Sequence, residues 1–159
     1  MQADAPSTVL LGRDAAGPTG DTVGLVLVVD HGLFLAGLAE LLKTVEGCAV
    51  LGQGTDCDDA VVLARAHRPD IVMLDATVTG PSVGTTISRI LRESPESRVL
   101  VLGAEDDPEM LREVVDAGAA GFLATNAGPA ELLAAITCAR RAVDGFVLVA
   151  SRVTLSAVV

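Results

Sequence analysis

The feature that most constrains the fold is a regular alternation of short apolar runs and amphipathic helical stretches. The apolar runs are LVLVV, AVLGQ, DIVML, RVLVL and GFLA, at residues 25–29, 49–53, 70–74, 98–102 and 121–124. Continuous runs of this kind are typical of strands that are buried on both faces of a sheet. A strand–helix unit that is repeated five times predicts an α/β fold with a parallel sheet and helices on both faces.

The stretches between these runs have the apolar spacing of helices. In the first of them, the predicted apolar face consists of Phe34, Leu38, Leu41, Leu42 and Val45. The fourth is expected to open at Asp107-Pro108, because Asp is a good helix cap and Pro fits the first helical position. The fifth is predicted to run from Pro129 to about Val143 and to close at Gly145.

Length, charge and cysteine content narrow the class of protein. A chain of 159 residues is enough for one domain with a real core. The formal net charge of −10 would repel a phosphate backbone, so this chain by itself is a poor nucleic-acid binder. The three cysteines are widely spaced without a CxxC pattern, which favours free thiols over a disulfide framework or a zinc site.

The sequence also predicts the cellular location of the protein and the boundaries of its domain. No apolar run is long enough to span a bilayer, and no basic segment precedes an apolar one at the start, which predicts a cytoplasmic protein without a membrane partner. Residues 1–22 are rich in Ala, Gly, Pro and Thr and are expected to form a mobile leader, in which Val9–Leu11 could dock. The domain itself is predicted over residues 23–150, and residues 151–159 are expected to be a tail or the start of a linker.

Candidate functional residues follow the predicted strands. In open parallel α/β sheets, ligands bind at the carboxyl ends of the strands. Asp30 follows the first strand, Asp75 the third, Gly103 the fourth and Thr125 the fifth. We therefore expect these four positions to lie at one edge of the sheet.

Four stretches carry a more specific pattern. They read VLVVDHGLFLAGLAELL at 26–42, RPDIVMLDATVTG at 68–80, SRVLVLGAEDD at 97–107 and AGAAGFLATNAGPAELLAAI at 117–136. With these stretches, residues 24–150 resemble the receiver domain of bacterial two-component response regulators, most closely the NarL/FixJ (LuxR-type) family. The resemblance implies a flavodoxin-like or CheY-like doubly wound sheet of five parallel strands, in the order 2-1-3-4-5. It also implies that Asp75 occupies the position that accepts a phosphoryl group from a histidine kinase.

The resemblance further implies a Mg²⁺ site from which one ligand is missing. Receivers of this family hold Mg²⁺ with an acidic pair after the first strand, the acceptor Asp and a backbone carbonyl two residues later. Here Val29 stands in the first acidic position, while Asp30, Asp75 and the carbonyl of Thr77 remain. Because Mg²⁺ keeps waters where protein ligands fail, we expect a weak or vestigial metal site and no other cofactor.

Two further departures concern the phosphoryl chemistry itself. The family has a Thr or Ser after the fourth strand and a Lys after the fifth, and these positions are Gly103 and Thr125 here. Phe122 occupies the place of the family's switch aromatic. Phosphoryl transfer is catalysed mainly by positioning and charge stabilisation, so the loss of the cation weakens the chemistry directly.

These observations favour an atypical receiver that is regulatory and not enzymatic. Such a module would belong to a transcription regulator, form a weak homodimer and act largely without phosphorylation, under the control of a small-molecule ligand or a protein partner. It would reach DNA only through a helix-turn-helix domain outside this chain. The alternative is a working phosphoacceptor, with Asp75 phosphorylated by a histidine kinase. A small α/β nucleotide-binding or enzyme domain is a remote alternative, because the chain lacks a glycine-rich loop after the first strand and a nucleophile–base pair.

Overall fold

The computed structural model describes the backbone of residues 7–14, 22–104 and 107–150, and the side chains within 22–104, 107–141 and 145–149. From residue 23 onward, strands and helices alternate along this part of the chain. The strands are β1 Ser7–Asp14, β2 Val23–Val28, β3 Cys48–Gly54, β4 Ile71–Asp75, β5 Arg98–Gly103, β6 Gly121–Ala124 and β7 Ala142–Ala150. The helices are α1 Gly32–Lys43, α2 Cys57–His67, α3 Val83–Glu93, α4 Pro108–Asp116 and α5 Pro129–Arg141.

All the strands lie in one sheet, in the order β1-β7-β6-β5-β4-β2-β3. Its central part, β3-β2-β4-β5-β6, is parallel throughout and reproduces the predicted order 2-1-3-4-5. The predicted fold class is therefore confirmed. Beyond the expected five strands, β7 pairs with β6 in parallel and β1 pairs with β7 antiparallel.

The two extra strands differ from what the sequence led us to expect at both ends of the domain. Part of the expected mobile leader, Ser7–Asp14, is an edge strand. The last helix ends at Arg141 instead of near Val143, and a strand follows it up to Ala150. The physical reason is the apolar run Phe146–Val149, which lies buried where it extends the sheet. The predicted tail at 151–159 lies outside the described residues.

The core has two layers, one on each face of the sheet. Alternate residues of β2 point to opposite faces, as the pleat of a strand requires. Leu25 and Leu27 pack with the buried faces of α1 and α5, whereas Val26 and Val28 pack with α2, α3 and α4. Burial of one such aliphatic side chain stabilises the fold by about 1.5–3 kcal/mol.

Helix α1 buries a face that is rotated from the predicted one. Its buried residues are Leu35, Leu38, Ala39 and Leu42. Phe34, which was predicted in the core, is 41% exposed, and that prediction was wrong. The buried set follows the i, i+3, i+4, i+7 spacing of a single helical face, and Phe34 lies on its flank.

The predicted start of α4 is confirmed. The Asp107 side chain accepts a hydrogen bond of 3.0 Å from the backbone N–H of Met110, and Pro108 occupies the first helical position. This cap satisfies one of the N–H groups that a helix leaves without an internal partner. Among the described residues, no helix combines the length and the apolar character that a membrane span requires.

Candidate functional site

The carboxyl ends of four neighbouring strands bring the predicted site positions to one edge of the sheet. In the β-sheet register, Asp75 pairs with Leu102 and Gly103 pairs with Ala124. Asp30 follows β2, which is the other neighbour of β4. Parallel pairing alone thus places Asp30, Asp75, Gly103 and Thr125 along one edge, as the sequence predicted.

Asp75 is the last residue of β4 and is only 6% exposed. Its Oδ1 accepts hydrogen bonds from the backbone N–H of Thr77 at 2.9 Å and from the Thr77 hydroxyl at 2.8 Å. The backbone carbonyl of Asp75 accepts a further bond of 3.2 Å from the N–H of Val78. An Asp that bonds the backbone two residues ahead closes a tight local turn. The carboxylate therefore holds the loop that follows its own strand.

The structure describes no cation paired with this carboxylate. Within the described residues, the ion pairs are Lys43–Glu40, Arg65–Glu93 and Arg89–Asp58. Asp30, at the end of the neighbouring strand, is exposed and adds a second negative charge to the same edge. The edge is therefore acidic, which disfavours the approach of an anionic group.

The donor atoms at this edge fit Mg²⁺ in kind but not in number. Val29 is fully buried in the core, and its N–H donates a 3.1 Å hydrogen bond to the carbonyl of Gly54, so this residue offers no metal ligand. Two carboxylates, of Asp30 and Asp75, and the Thr77 carbonyl are hard oxygen donors of the type that Mg²⁺ prefers. Within the described part of the chain, no group of three or more His, Cys, Asp or Glu side chains could hold a metal ion. A bound Mg²⁺ would therefore depend largely on water ligands.

Gly103, at the end of β5, is enclosed by two side chains from other elements. A Cβ placed at this residue would lie 2.9 Å from Cε2 of Phe122 and 3.1 Å from Cε of Met110. Phe122 is itself 1% exposed and belongs to the core between the sheet and helices α2–α4. The space that a Thr or Ser side chain would need is therefore filled by the Phe122 ring and the Met110 methyl group.

Thr125 follows β6 directly and is exposed. Its N–H donates a 3.0 Å hydrogen bond to the carbonyl of Gly103, which extends the pairing of β5 and β6 by one residue. Thr125 is therefore held against the site by its backbone. Its side chain carries a hydroxyl group and no charge.

The sequence did not indicate two of these contacts. Thr77 was singled out for its carbonyl, whereas its hydroxyl and N–H are the groups that bond Asp75. The Asp-x-Thr spacing could have indicated this, because Asp side chains favour such turns. Met110 has no comparable signal, because its contact with Gly103 depends on how α4 packs over the sheet.

The groups of the described residues whose pKa is shifted lie outside this constellation. A bidentate hydrogen bond from the Arg65 guanidinium, at 3.1 and 3.0 Å, holds the pKa of the Glu93 carboxyl below its usual value. Burial raises the pKa of the Cys48 thiol, partly offset by Arg140. Cys48 and Cys57 are free thiols, as predicted from their spacing.

Comparison with known proteins supports the resemblance to receiver domains that the sequence motifs indicated. The family model for the response regulator receiver domain matches residues 25–137. Among curated proteins, the chain is 34% identical over 115 residues to the response regulator GacA of Pseudomonas aeruginosa, a match that covers 72% of this chain and 53% of GacA. The chain thus spans about half the length of the curated relatives it matches.

Solved structures agree in fold over most of the chain. A two-component response regulator of the LuxR family from Aurantimonas sp. aligns with a TM-score of 0.72 at 28% identity, covering 87% of this chain and 96% of that one. The signal receiver domain of the response regulator NarL from Mycobacterium tuberculosis aligns with a TM-score of 0.69 at 30% identity, covering 76% and 98%.

Proposed function

Because the chain belongs to the response regulator receiver domain family, we propose that it is an atypical receiver whose regulatory output does not depend on phosphorylation of Asp75. In this role the domain is a regulatory module and not an enzyme. The proposal concerns how the strand-end site is used.

The observation that carries the proposal is the enclosure of Gly103 by Phe122 and Met110. In the receivers that this chain resembles, a hydroxyl at position 103 bonds the phosphoryl group and couples it to a loop shift. Here a side chain at that position would collide with Phe122, which is already packed in the core. The site therefore has no hydroxyl from which that shift would start, and the Phe122 ring crowds the place of a side chain at position 103.

The charges at the site also argue against phosphorylation of Asp75. A phosphoryl group would add about −1.5 to −2 charges, by analogy with phosphorylated hydroxyl side chains. Asp30 already adds a negative charge at the neighbouring strand end, and Thr125 supplies no cation. Since phosphoryl transfer is catalysed largely by charge stabilisation, the uncompensated charge should slow the reaction at Asp75.

The role that we propose for the whole protein involves parts that lie outside this chain. We place the domain in a cytoplasmic transcription regulator, in which DNA is contacted by a separate helix-turn-helix domain and two receivers associate weakly. A small molecule or a protein partner, in place of a histidine kinase, then controls the output. The net charge of −10 fits this division, because the receiver itself would repel DNA.

A phosphodonor assay tests the proposal. The protein is incubated with acetyl phosphate and Mg²⁺, and the fraction carrying a phosphoryl group is measured by intact mass, with Asp75→Asn as the blank. We expect little labelling of the unaltered protein. Thr125→Lys should raise the labelling, because position 125 is exposed and has room for the long side chain. Asn126→Lys adds the same charge at the next exposed residue and should not.

The alternative of a working phosphoacceptor makes the opposite prediction in the same assay. Near-complete labelling of Asp75 in the unaltered protein, together with a change in oligomeric state, would establish that reading. Labelling without any change in conformation or assembly would leave phosphorylation without an output, as we propose. A histidine kinase would be a partner only under the alternative.

A further inference from the structure

A second feature of the strand ends is an apolar cavity of about 270 Å³. It lies between α1 and the loop that joins β6 to α5. Six of the residues that line it are Leu33, Phe34, Leu38, Leu102, Leu123 and Thr125. Among the described residues that line it, none is charged and Thr125 alone has a polar side chain. Ligand pockets of proteins typically measure about 300–1,000 Å³ and combine apolar walls with a few polar groups. This cavity lies just below that range and has the same kind of lining, so it suits a ligand at the small end of the range.

The rim of the cavity exposes large apolar side chains at the start of α1. Leu33 is 90% exposed and Phe34 is 41% exposed. Scattered apolar residues on a surface need no explanation, but two adjacent ones that both line a cavity form a continuous apolar entrance. Water in contact with these walls has few polar partners, so an apolar molecule can displace it favourably.

Charge around the cavity restricts the class of ligand. Asp30 lies three residues before Leu33, and the Glu131 carboxylate lies 2.9 Å from the place of a Cβ on Gly128, which also lines the cavity. These carboxylates disfavour an anion. A cation would lose its hydration against the apolar walls, since no carboxylate is among the described residues that line the cavity. An uncharged ligand is not repelled by the carboxylates and does not have to give up the strong hydration of a charge.

We propose that this cavity is a binding site for a small, uncharged, mainly apolar molecule with one polar group directed at the Thr125 hydroxyl. Leu102 connects the cavity to the acceptor position, because it pairs with Asp75 in the sheet and its carbonyl accepts a 2.8 Å hydrogen bond from the N–H of Ala76. The binding itself is independent of the function proposed above. Its use as the regulatory input rests on that function.

Two dyes with the same aromatic skeleton test the site. N-phenyl-1-naphthylamine is uncharged and fluoresces in apolar surroundings, and 1-anilinonaphthalene-8-sulfonate adds one sulfonate to it. The chain contains no Trp, so intrinsic fluorescence does not interfere. We expect saturable binding of the neutral dye with a stoichiometry of one per chain. The sulfonated dye should bind about tenfold more weakly or worse, because of its charge.

Two glycines of α1 provide a matched pair of variants. Gly37 lines the cavity, and a Cβ there would contact nothing within 4 Å, so Gly37→Leu places its side chain in open space at the wall. Gly32 is equally unobstructed but does not line the cavity. Leu is a better helix former than Gly, so neither variant should lose stability. We expect Gly37→Leu to weaken binding of the neutral dye by about tenfold or more and Gly32→Leu to leave it unchanged.

Several results would overturn the inference. The cavity is not a ligand site if the neutral dye fails to saturate or if Gly37→Leu binds it as well as the unaltered protein does. Equal affinity for the sulfonated dye would refute the selectivity for uncharged ligands. Dye affinity that falls as protein concentration rises would show that a second copy covers the cavity. Because the dye assay does not involve phosphorylation, a negative result here is distinguishable from ready labelling of Asp75 by acetyl phosphate.

Discussion

The tight enclosure of Gly103 makes one substitution especially informative. Gly103→Thr restores the hydroxyl that receivers of this family carry, and it also introduces a Cβ at 2.9 Å from the Phe122 ring. Ordinary van der Waals contact begins at 3.4 Å, so the ring or the backbone must move by about 0.5 Å. Gly103 does not have a positive φ, so the cost arises from crowding and not from backbone strain.

The change in the free energy of unfolding that we expect for Gly103→Thr is the sum of two opposing contributions. Adding atoms to a packed site typically costs about 1–3 kcal/mol. Replacing Gly restricts the unfolded chain and returns about 0.4–1 kcal/mol. Crowding outweighs this gain because Phe122 is 1% exposed and cannot withdraw into solvent. We expect Gly103→Thr to lower the free energy of unfolding by about 1–2 kcal/mol.

A double-mutant cycle with Phe122→Leu identifies the cause. Leu lacks the Cε2 and Cζ atoms of the ring, which lie 2.9 and 3.4 Å from the added Cβ. In the Phe122→Leu background, Gly103→Thr should therefore cost less, with the 3.1 Å approach to Cε of Met110 remaining, and the two substitutions should differ from additivity by about 1 kcal/mol. Gly37→Thr, at a position with open space, controls for the general effect of replacing a glycine by threonine.

Urea unfolding followed by far-UV circular dichroism measures these differences, since the chain has neither Trp nor Tyr to report fluorescence. The slopes of the transitions should agree among variants, so that the midpoints report stability alone. Our reasoning is refuted if Gly103→Thr is as stable as the unaltered protein. It is also refuted if its cost is the same with Phe and with Leu at position 122, because the ring would then not fill the site.

Two further predictions follow from contacts of the described residues, and a third follows from the weak association proposed above. Asp75→Asn should unfold at nearly the same urea concentration as the unaltered protein, because its amide oxygen can still accept both bonds from Thr77, whereas Asp75→Ala should cost about 1–2 kcal/mol. Glu93→Gln should lower stability slightly near neutral pH. Arg65 lowers the pKa of Glu93 in the folded state, so the ion pair stabilises the protein above the unfolded-state pKa of Glu93, and this stabilisation is lost as the pH falls through the folded-state pKa. The difference in thermal unfolding between the variant and the unaltered protein should therefore vanish at acid pH and shrink with added salt, and a difference that persists at acid pH or is insensitive to salt would contradict this. Sedimentation should show weak, concentration-dependent dimers whose dissociation is unaffected by acetyl phosphate, and a monomer at every concentration would argue against association.

The sequence by itself determined the central fold and the residue types at the ends of its strands. Buried strands and amphipathic helices leave local signals, because each element must satisfy its own backbone and bury its own face. The order of the five central strands followed from the resemblance that the motifs carried. The side chains at positions 29, 103 and 125 could be read directly, so the departures from the family pattern that the resemblance implied at these positions needed no coordinates.

Tertiary structure alone decided which side chains occupy the space beside Gly103. The ring of Phe122 and the methyl group of Met110 fill the position that Gly103 leaves open. Phe34 lies at the entrance of a cavity instead of in the core, and β1 pairs with β7 at the edge of the sheet. These contacts join residues that are far apart in the chain. Periodicity reports whether a residue tends to be buried, but the identity of its neighbour depends on how separate elements pack against one another.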